Sequence, residues 1–132
     1  MGPVNRYLLD TCTFIWLCTE PQRLSATATE AIDAPDTLLL WSDVSALEIA
    51  LKWSAGKIIL PDPPRHWIEQ QIAAWSMDCL SLQRNDIYRA SELPALHRDP
   101  FDRLLVAAAL GATATILTPD EAIHAYPVSC RW

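Results

Sequence analysis

The stretch "HRDPFDRLLVAAALGATATILT", residues 97–118, decides how this chain folds. Asp99 followed by Pro100 has the form of a helix start. A short acid accepts backbone N–H bonds, and proline fills the first helical position, where its missing N–H costs nothing. From Pro100 the run "PFDRLLVAAALGA" (100–112) reads as a helix, and "TATILT" (113–118) reads as a strand. Asp102, one turn inside, completes the cap or favours the positive end of the helix dipole. Two carboxylates at the mouth of one helix, with Arg98 and Arg103 beside them, satisfy capping. They also raise the question of whether other acids reach the same place.

Outward from this unit, strands and helices alternate. "RYLL" (6–9) is a short apolar run that stops at Asp10, and "CTFIWLCTE" (12–20) is a helix ended by Pro21. Ser25 is an N-cap for a helix through "LSATATEAIDA" (24–34), and "TLLLW" (37–41) is a strand. "SDVSALEIALKWSAG" (42–56) carries the apolar spacing Leu47, Ala50, Leu51, Ser54, and Gly56 closes the helix. Ser45 and Glu48 have the spacing of a capping box, and Glu48 with Lys52 that of an i,i+4 pair. "LPDPPRH" (60–66) is a proline-rich turn before the helix "WIEQQIAAW" (67–75). "MDCLSL" (77–82) is a strand, "RNDIYRASEL" (84–93) a helix, "PDEAIHAY" (119–126) a short helix and "PVSCRW" (127–132) an edge strand. Hairpin signals are few. The fold class is therefore α/β, a three-layer α/β/α arrangement with a central, mainly parallel sheet, in a single domain over residues 1–132.

Composition sets bounds on function. The chain is 51% hydrophobic and 20% charged, an ordinary globular mix. A formal net charge of −6 argues against a broad basic surface for nucleic acid, though not against a few placed arginines and bound cations. Cys12, Cys18, Cys79 and Cys130 form no CxxC pair and read as reduced, mostly buried residues. Trp41, Trp53 and Trp75 are expected in the core. No leader pattern and no apolar run long enough for a membrane span is present, so the expected location is the cytoplasm, with no membrane association.

In open α/β sheets, ligands bind beyond the carboxyl ends of the strands where strand order reverses. Asp10 directly follows the first strand, Asp120 follows "ATILT", Asp99 and Asp102 begin one helix, and Glu48 lies in the first turn of another. Each taken singly is explained by capping or pairing. Together they are expected on one edge of the sheet. Clustered carboxylates raise one another's pKa and are costly unless a cation neutralises them. An all-oxygen set favours a hard ion, Mg2+ or Mn2+, and the chemistry that fits is phosphodiester hydrolysis.

The segments "LLDTCTFIW" (8–16), "SALEIALKWSAGKI" (45–58), "LPALHRDPFDRLLVAAAL" (93–110) and "ILTPD" (116–120) carry a resemblance over nearly the whole chain. The chain resembles PIN-domain ribonucleases, and more narrowly the VapC-type toxins of bacterial toxin–antitoxin pairs. The resemblance implies a divalent-metal-dependent endoribonuclease. It makes Asp10, Glu48, Asp102 and Asp120 catalytic metal ligands and Thr118 a residue that positions water or metal, with Asp99 auxiliary. It also implies an RNA substrate, a homodimer and a cognate antitoxin lying in an apolar groove. The helices over 13–20, 24–34 and 48–58 are the surfaces with apolar residues to spare for that groove. Cys12, Ala108 and Pro119 depart from the residues usual in such proteins, which bears on substrate contacts rather than on the carboxylates. Arg98, Arg103, Lys52 and Lys57 are candidate phosphate contacts, and the six tryptophans are candidate stacking surfaces for single-stranded RNA.

Two other classes share parts of this pattern. A catalytically silent PIN-like interaction module would keep the fold and bind a partner. A phosphoaspartyl enzyme would use Asp10, but Cys12 stands where a second aspartate is needed, and the acidic pair of receiver domains is absent.

Overall fold

A computed structural model describes residues 4–132, so the first three residues of the expected 1–132 domain lie outside the described part. The chain runs β1 (Asn5–Leu9), α1 (Thr11–Thr19), a short 3-10 turn (Pro21–Arg23), α2 (Ala26–Asp33), β2 (Thr37–Ser42), α3 (Asp43–Ser54) and α4 (Pro64–Ala74). It continues with β3 (Asp78–Leu80), α5 (Arg84–Glu92), α6 (Pro100–Ala112), β4 (Thr115–Leu117), α7 (Glu121–His124) and β5 (Cys130–Arg131). The five strands form one sheet in the order β3-β2-β1-β4-β5, every pairing parallel. Tyr7 pairs with both Leu39 and Thr115, so β1 is the centre of the sheet. The chain leaves β1 toward β2 and β3, then returns to the other side for β4 and β5. The reversal point lies at the carboxyl ends of β1 and β4, next to Asp10 and Thr118.

The period of two along the strands divides the core. Tyr7, Leu9, Leu39, Trp41 and Leu117 face one layer, where Phe14 of α1, Ile32 of α2 and Trp67 of α4 cover them. Phe14 packs edge-on against Trp41 and Trp67, with ring centroids 4.6 and 5.6 Å away. Leu8, Leu40 and Ile116 face the other layer, under Leu105, Val106 and Ala109 of α6 and Ile123 of α7. Full burial of side chains such as Leu8, Leu105 and Ile116 contributes about 1.5–3 kcal/mol each. Among the described residues no helix is long and apolar enough to cross a membrane.

Several expectations need correction. α4 starts at Pro64, not Trp67, because the second of two prolines sits at the first helical position, where it suits a helix rather than a turn. Ser42, not Ser45, caps α3, accepting the Val44 N–H at 3.2 Å. Ser45 is buried a turn further on and bonds Thr11 instead, oxygen to oxygen at 2.9 Å. Leu47 and Leu51, from the apolar spacing that marked α3, face outward at 46% and 52% exposure. The buried stripe is Val44, Ser45, Glu48 and Ile49. Trp41 is in the core, but Trp53 and Trp75 are 41% and 37% exposed. None of the four cysteines is buried, although all are free thiols. Gly56 does close α3, with φ +72° and the Lys57 N–H returning to the Lys52 carbonyl at 2.8 Å.

Candidate metal centre

Asp10 leaves β1 buried, and each of its oxygens has a separate task. One accepts the Thr13 N–H at 2.8 Å and so caps α1. The other accepts the Thr118 hydroxyl at 2.6 Å. Thr118, fully buried just beyond β4, also accepts the Asp120 N–H at 3.0 Å. One threonine thereby ties the ends of the two central strands together and sets the start of α7. Burial holds the Asp10 carboxyl above its ordinary pKa, against the lowering effect of its bonds from Thr118 and Thr13.

Glu48 arrives from α3, one turn beyond the Thr11–Ser45 contact that fastens α3 to α1. Its Oε2 accepts from Lys52 Nζ at 2.6 Å, and its buried Oε1 has no hydrogen-bond partner. The bond to Glu48 is the leading cause that raises the Lys52 pKa. Asp99 caps α6 by accepting the Phe101 N–H at 2.8 Å, which sets Asp102 on the first turn. Asp120 caps α7 through Oδ1, with the Ala122 N–H at 2.8 Å. Capping therefore does not compete with a site. Asp99 and Asp120 each use one oxygen for the helix.

His97, which sequence reasoning left without a role, joins two of these acids. Its Nε2 lies 3.0 Å from Asp102 Oδ2 and 2.9 Å from Asp120 Oδ2. Its Nδ1 accepts the Asp99 N–H at 3.1 Å, which assigns the neutral ring's proton to Nε2, between the carboxylates. The His97 N–H in turn donates to the Tyr126 hydroxyl at 2.9 Å. The ligand atoms of His97, Asp102 and Asp120 all lie within 4.8 Å of one another. Burial, then the charge of Asp99, pushes the Asp102 carboxyl up to about 7. Burial works against a charged His97, but the bond to Asp120 and the charges of Asp102, Asp120 and Asp99 outweigh it and raise its pKa. Asp120 is held below the usual carboxylate value, because the His97 bond and the α7 N–H groups exceed the effect of burial. The only sequence signal for His97 was its place two residues before the capping Asp99.

Asp10, Glu48, Asp99, Asp102 and Asp120 all line one cavity of about 290 Å3, and Thr118 lies buried behind Asp10. Of the four candidate cations, Lys52 lines the same cavity. Arg98 and Lys57 are exposed, and Arg103 instead closes the end of α5 by donating to the Ala90 and Leu93 carbonyls at 2.7 and 3.2 Å. A larger cavity of about 470 Å3, between Arg6, Leu80 and Arg89, is lined by none of the four candidate acids. Arg89 there is held by Asp86 and the Ala107 carbonyl, and a side chain at Gly111 would meet its guanidinium at 2.7 Å. The first cavity fits a hard divalent ion by two observations besides its donor set. Glu48 carries a buried carboxylate oxygen without a partner, and Asp102 is crowded by like charge.

The sequence profile of the PIN domain matches residues 7–128. The chain is 30% identical over 120 residues to Ribonuclease VapC22 of Mycobacterium tuberculosis, covering 90% of each. Among solved structures, a chain of VapBC2 from Rickettsia felis, bound to a DNA fragment from their promoter, shares the fold with a TM-score of 0.72 at 13% identity. The alignment covers 96% of this chain and 98% of that one. A chain of FitAcB from Neisseria gonorrhoeae gives a TM-score of 0.60 at 17% identity, covering 94% and 95%.

Proposed function

This chain belongs to the PIN domain family, and from that membership we propose that it is a Mg2+- or Mn2+-dependent endoribonuclease, the toxin of a toxin–antitoxin pair, acting as one domain over residues 1–132. The observation that carries the reading is the meeting of Asp10, Glu48, Asp102 and Asp120, which come from four separate parts of the chain, in one cavity at the reversal point of the sheet. A module that only binds a partner has no need of a buried, unpartnered Glu48 oxygen, which costs about 1–3 kcal/mol or more.

Asp10, Glu48, Asp102 and Asp120 are the residues to hold the ion. When bound, the ion neutralises these carboxylates, takes phosphate oxygens and acidifies water. Thr118 keeps Asp10 in one rotamer and holds the Asp120 backbone beside it. His97 bonds Asp120 through Nε2 and stands 3.0 Å from Asp102, so its ring lies between the two acids. Lys52, whose positive charge Glu48 reinforces, is the cation placed to meet an RNA phosphate at the cavity. Asp99 shapes the entry to α6 and is auxiliary.

The proposed partners are a second copy of the chain and an antitoxin, in the cytoplasm. The structural neighbours from Rickettsia felis and Neisseria gonorrhoeae carry the names VapBC2 and FitAcB, which supports the antitoxin partner. Leu47, Leu51 and Trp53 leave α3 with an apolar outer face, as a partner surface requires. Among the described residues no large exposed apolar side chain lies on α1 or α2; Phe14, Leu17, Ala31 and Ile32 are spent in the core, while Trp16 stays half-buried at the cavity.

The test is cleavage of a looped RNA by purified protein with Mn2+. EDTA is expected to stop it, and Asp102→Asn to lower the rate at least about a hundredfold while the far-ultraviolet spectrum is unchanged. Equal cleavage by that variant, with contaminating nuclease excluded, refutes the reading.

A further inference from the structure

We propose that Trp16, with Arg23 stacked on it and Trp132 beside it, forms a nucleobase-binding subsite at the rim of the carboxylate cavity. The proposal rests on the ribonuclease reading and places the base that neighbours the cleaved phosphate. Trp16 lines the same cavity as Asp10 and Glu48 and is only half-buried. The Arg23 guanidinium lies 4.4 Å from the centre of its ring, and the Trp132 ring stands 6.1 Å away, tilted by 54°. Phe14, Trp41 and Trp67 by contrast pack deep in the core. The Trp16 cluster is thus a second aromatic group, set at the surface beside the site.

Charge indicates what it takes. The protein carries a net −6, and the cavity is crowded with acids, so an RNA backbone gains little from the general field. Affinity for single-stranded RNA then has to come from contacts that ignore phosphate charge, of which stacking on an aromatic ring is the strongest. Arg23 supplies a flat cation that prolongs the stack and can also meet a phosphate. Its side chain is 52% exposed, and its ion pair with Glu20, 3.6 Å long and equally exposed, is too screened to consume that charge. Cys12, one helical turn before Trp16, lines the same cavity, so this face of α1 runs from the carboxylates to the Trp16 ring.

Binding of a fluorescein-labelled 2′-O-methyl adenosine hexamer, followed by anisotropy with Ca2+ present, tests this beside the same hexamer with its central bases removed. Trp16→Ala is expected to weaken the intact hexamer about tenfold, Trp16→Phe to restore it to within about twofold, and the abasic hexamer to bind wild type and Trp16→Ala alike. Arg23→Gln, on an exposed side chain whose loss leaves α1 packing intact, is expected to weaken the intact hexamer about threefold. The rise in melting temperature with Mn2+ should be the same in all variants, showing that the carboxylates are undisturbed. Unchanged affinity in Trp16→Ala and Arg23→Gln, or equal loss for both hexamers, overturns the subsite. Base-dependent binding that Trp16→Ala removes, in a wild-type protein that cuts no RNA with Mn2+, upholds the subsite and refutes the ribonuclease reading alone.

Discussion

The ionised Asp102 carboxyl works against the fold. Its carboxyl, pushed up to about 7 by burial and then by Asp99, keeps its proton in the folded chain at pH values where the unfolded chain has lost it. Its contribution to stability is therefore fully present below the unfolded value of 3.8 and is lost as pH rises through about 7. Asp102→Asn keeps the shape and removes the charge. In EDTA at about pH 8 it should stabilise the protein by about 1–3 kcal/mol, and at about pH 4 the gain should vanish. Urea unfolding at the two pH values decides this, and equal midpoints at the higher one contradict it. His97 works on the same carboxylate from the other side. His97→Ala should cut RNA turnover about 10- to 100-fold and weaken Mn2+ binding, with the fold retained. Turnover within about twofold of wild type would make the Nε2 bridge dispensable. That bridge was not legible in the sequence. It depends on the Tyr126 hydroxyl, 29 positions away, and on a backbone N–H of Asp99, and neither leaves a motif.

At the scale of elements, helix ends offer two substitutions of opposite sign. Thr113 ends α6 at φ +53°, a left-handed conformation that a β-branched residue dislikes. Thr113→Gly should raise stability by about 0.5–1 kcal/mol. Gly56 ends α3 at φ +72° with open space around it, so Gly56→Ala should cost about 1 kcal/mol through strain alone. Thermal melts of the pair should move in opposite directions. The strands and most helices were legible because period-two and 3.6-residue patterns, capping acids and prolines all agree, as in "DPFDRLLVAAAL". α3 shows what such reading leaves open. An apolar stripe announces a helix face but not its direction, and here Leu47 and Leu51 turn outward. The inward stripe is partly polar, where Ser45 bonds Thr11 and Glu48 lines the acidic cavity. The convergence of the four acids was legible from topology. Their individual bonds, and the stacked Trp16–Arg23 pair, come from side-chain contacts that no spacing rule specifies.

For the whole molecule, binding an ion that only the folded state can hold is linked to stability. At about one hundred times its dissociation constant, Mn2+ should add about 2.7 kcal/mol and raise Tm by about 8 °C for a domain of this size. Asp102→Asn should show little of that rise, and a full rise in the variant would place the ion elsewhere. The central position of β1 has a further consequence. Its partners arrive from both directions along the chain, and the Asp10–Thr118 bond closes over 108 residues. During synthesis Asp10, Glu48 and Asp102 are made before Thr118 and Asp120, so β1 waits for β4, and the Asp10 carboxylate for its Thr118 bond, until that later segment exists.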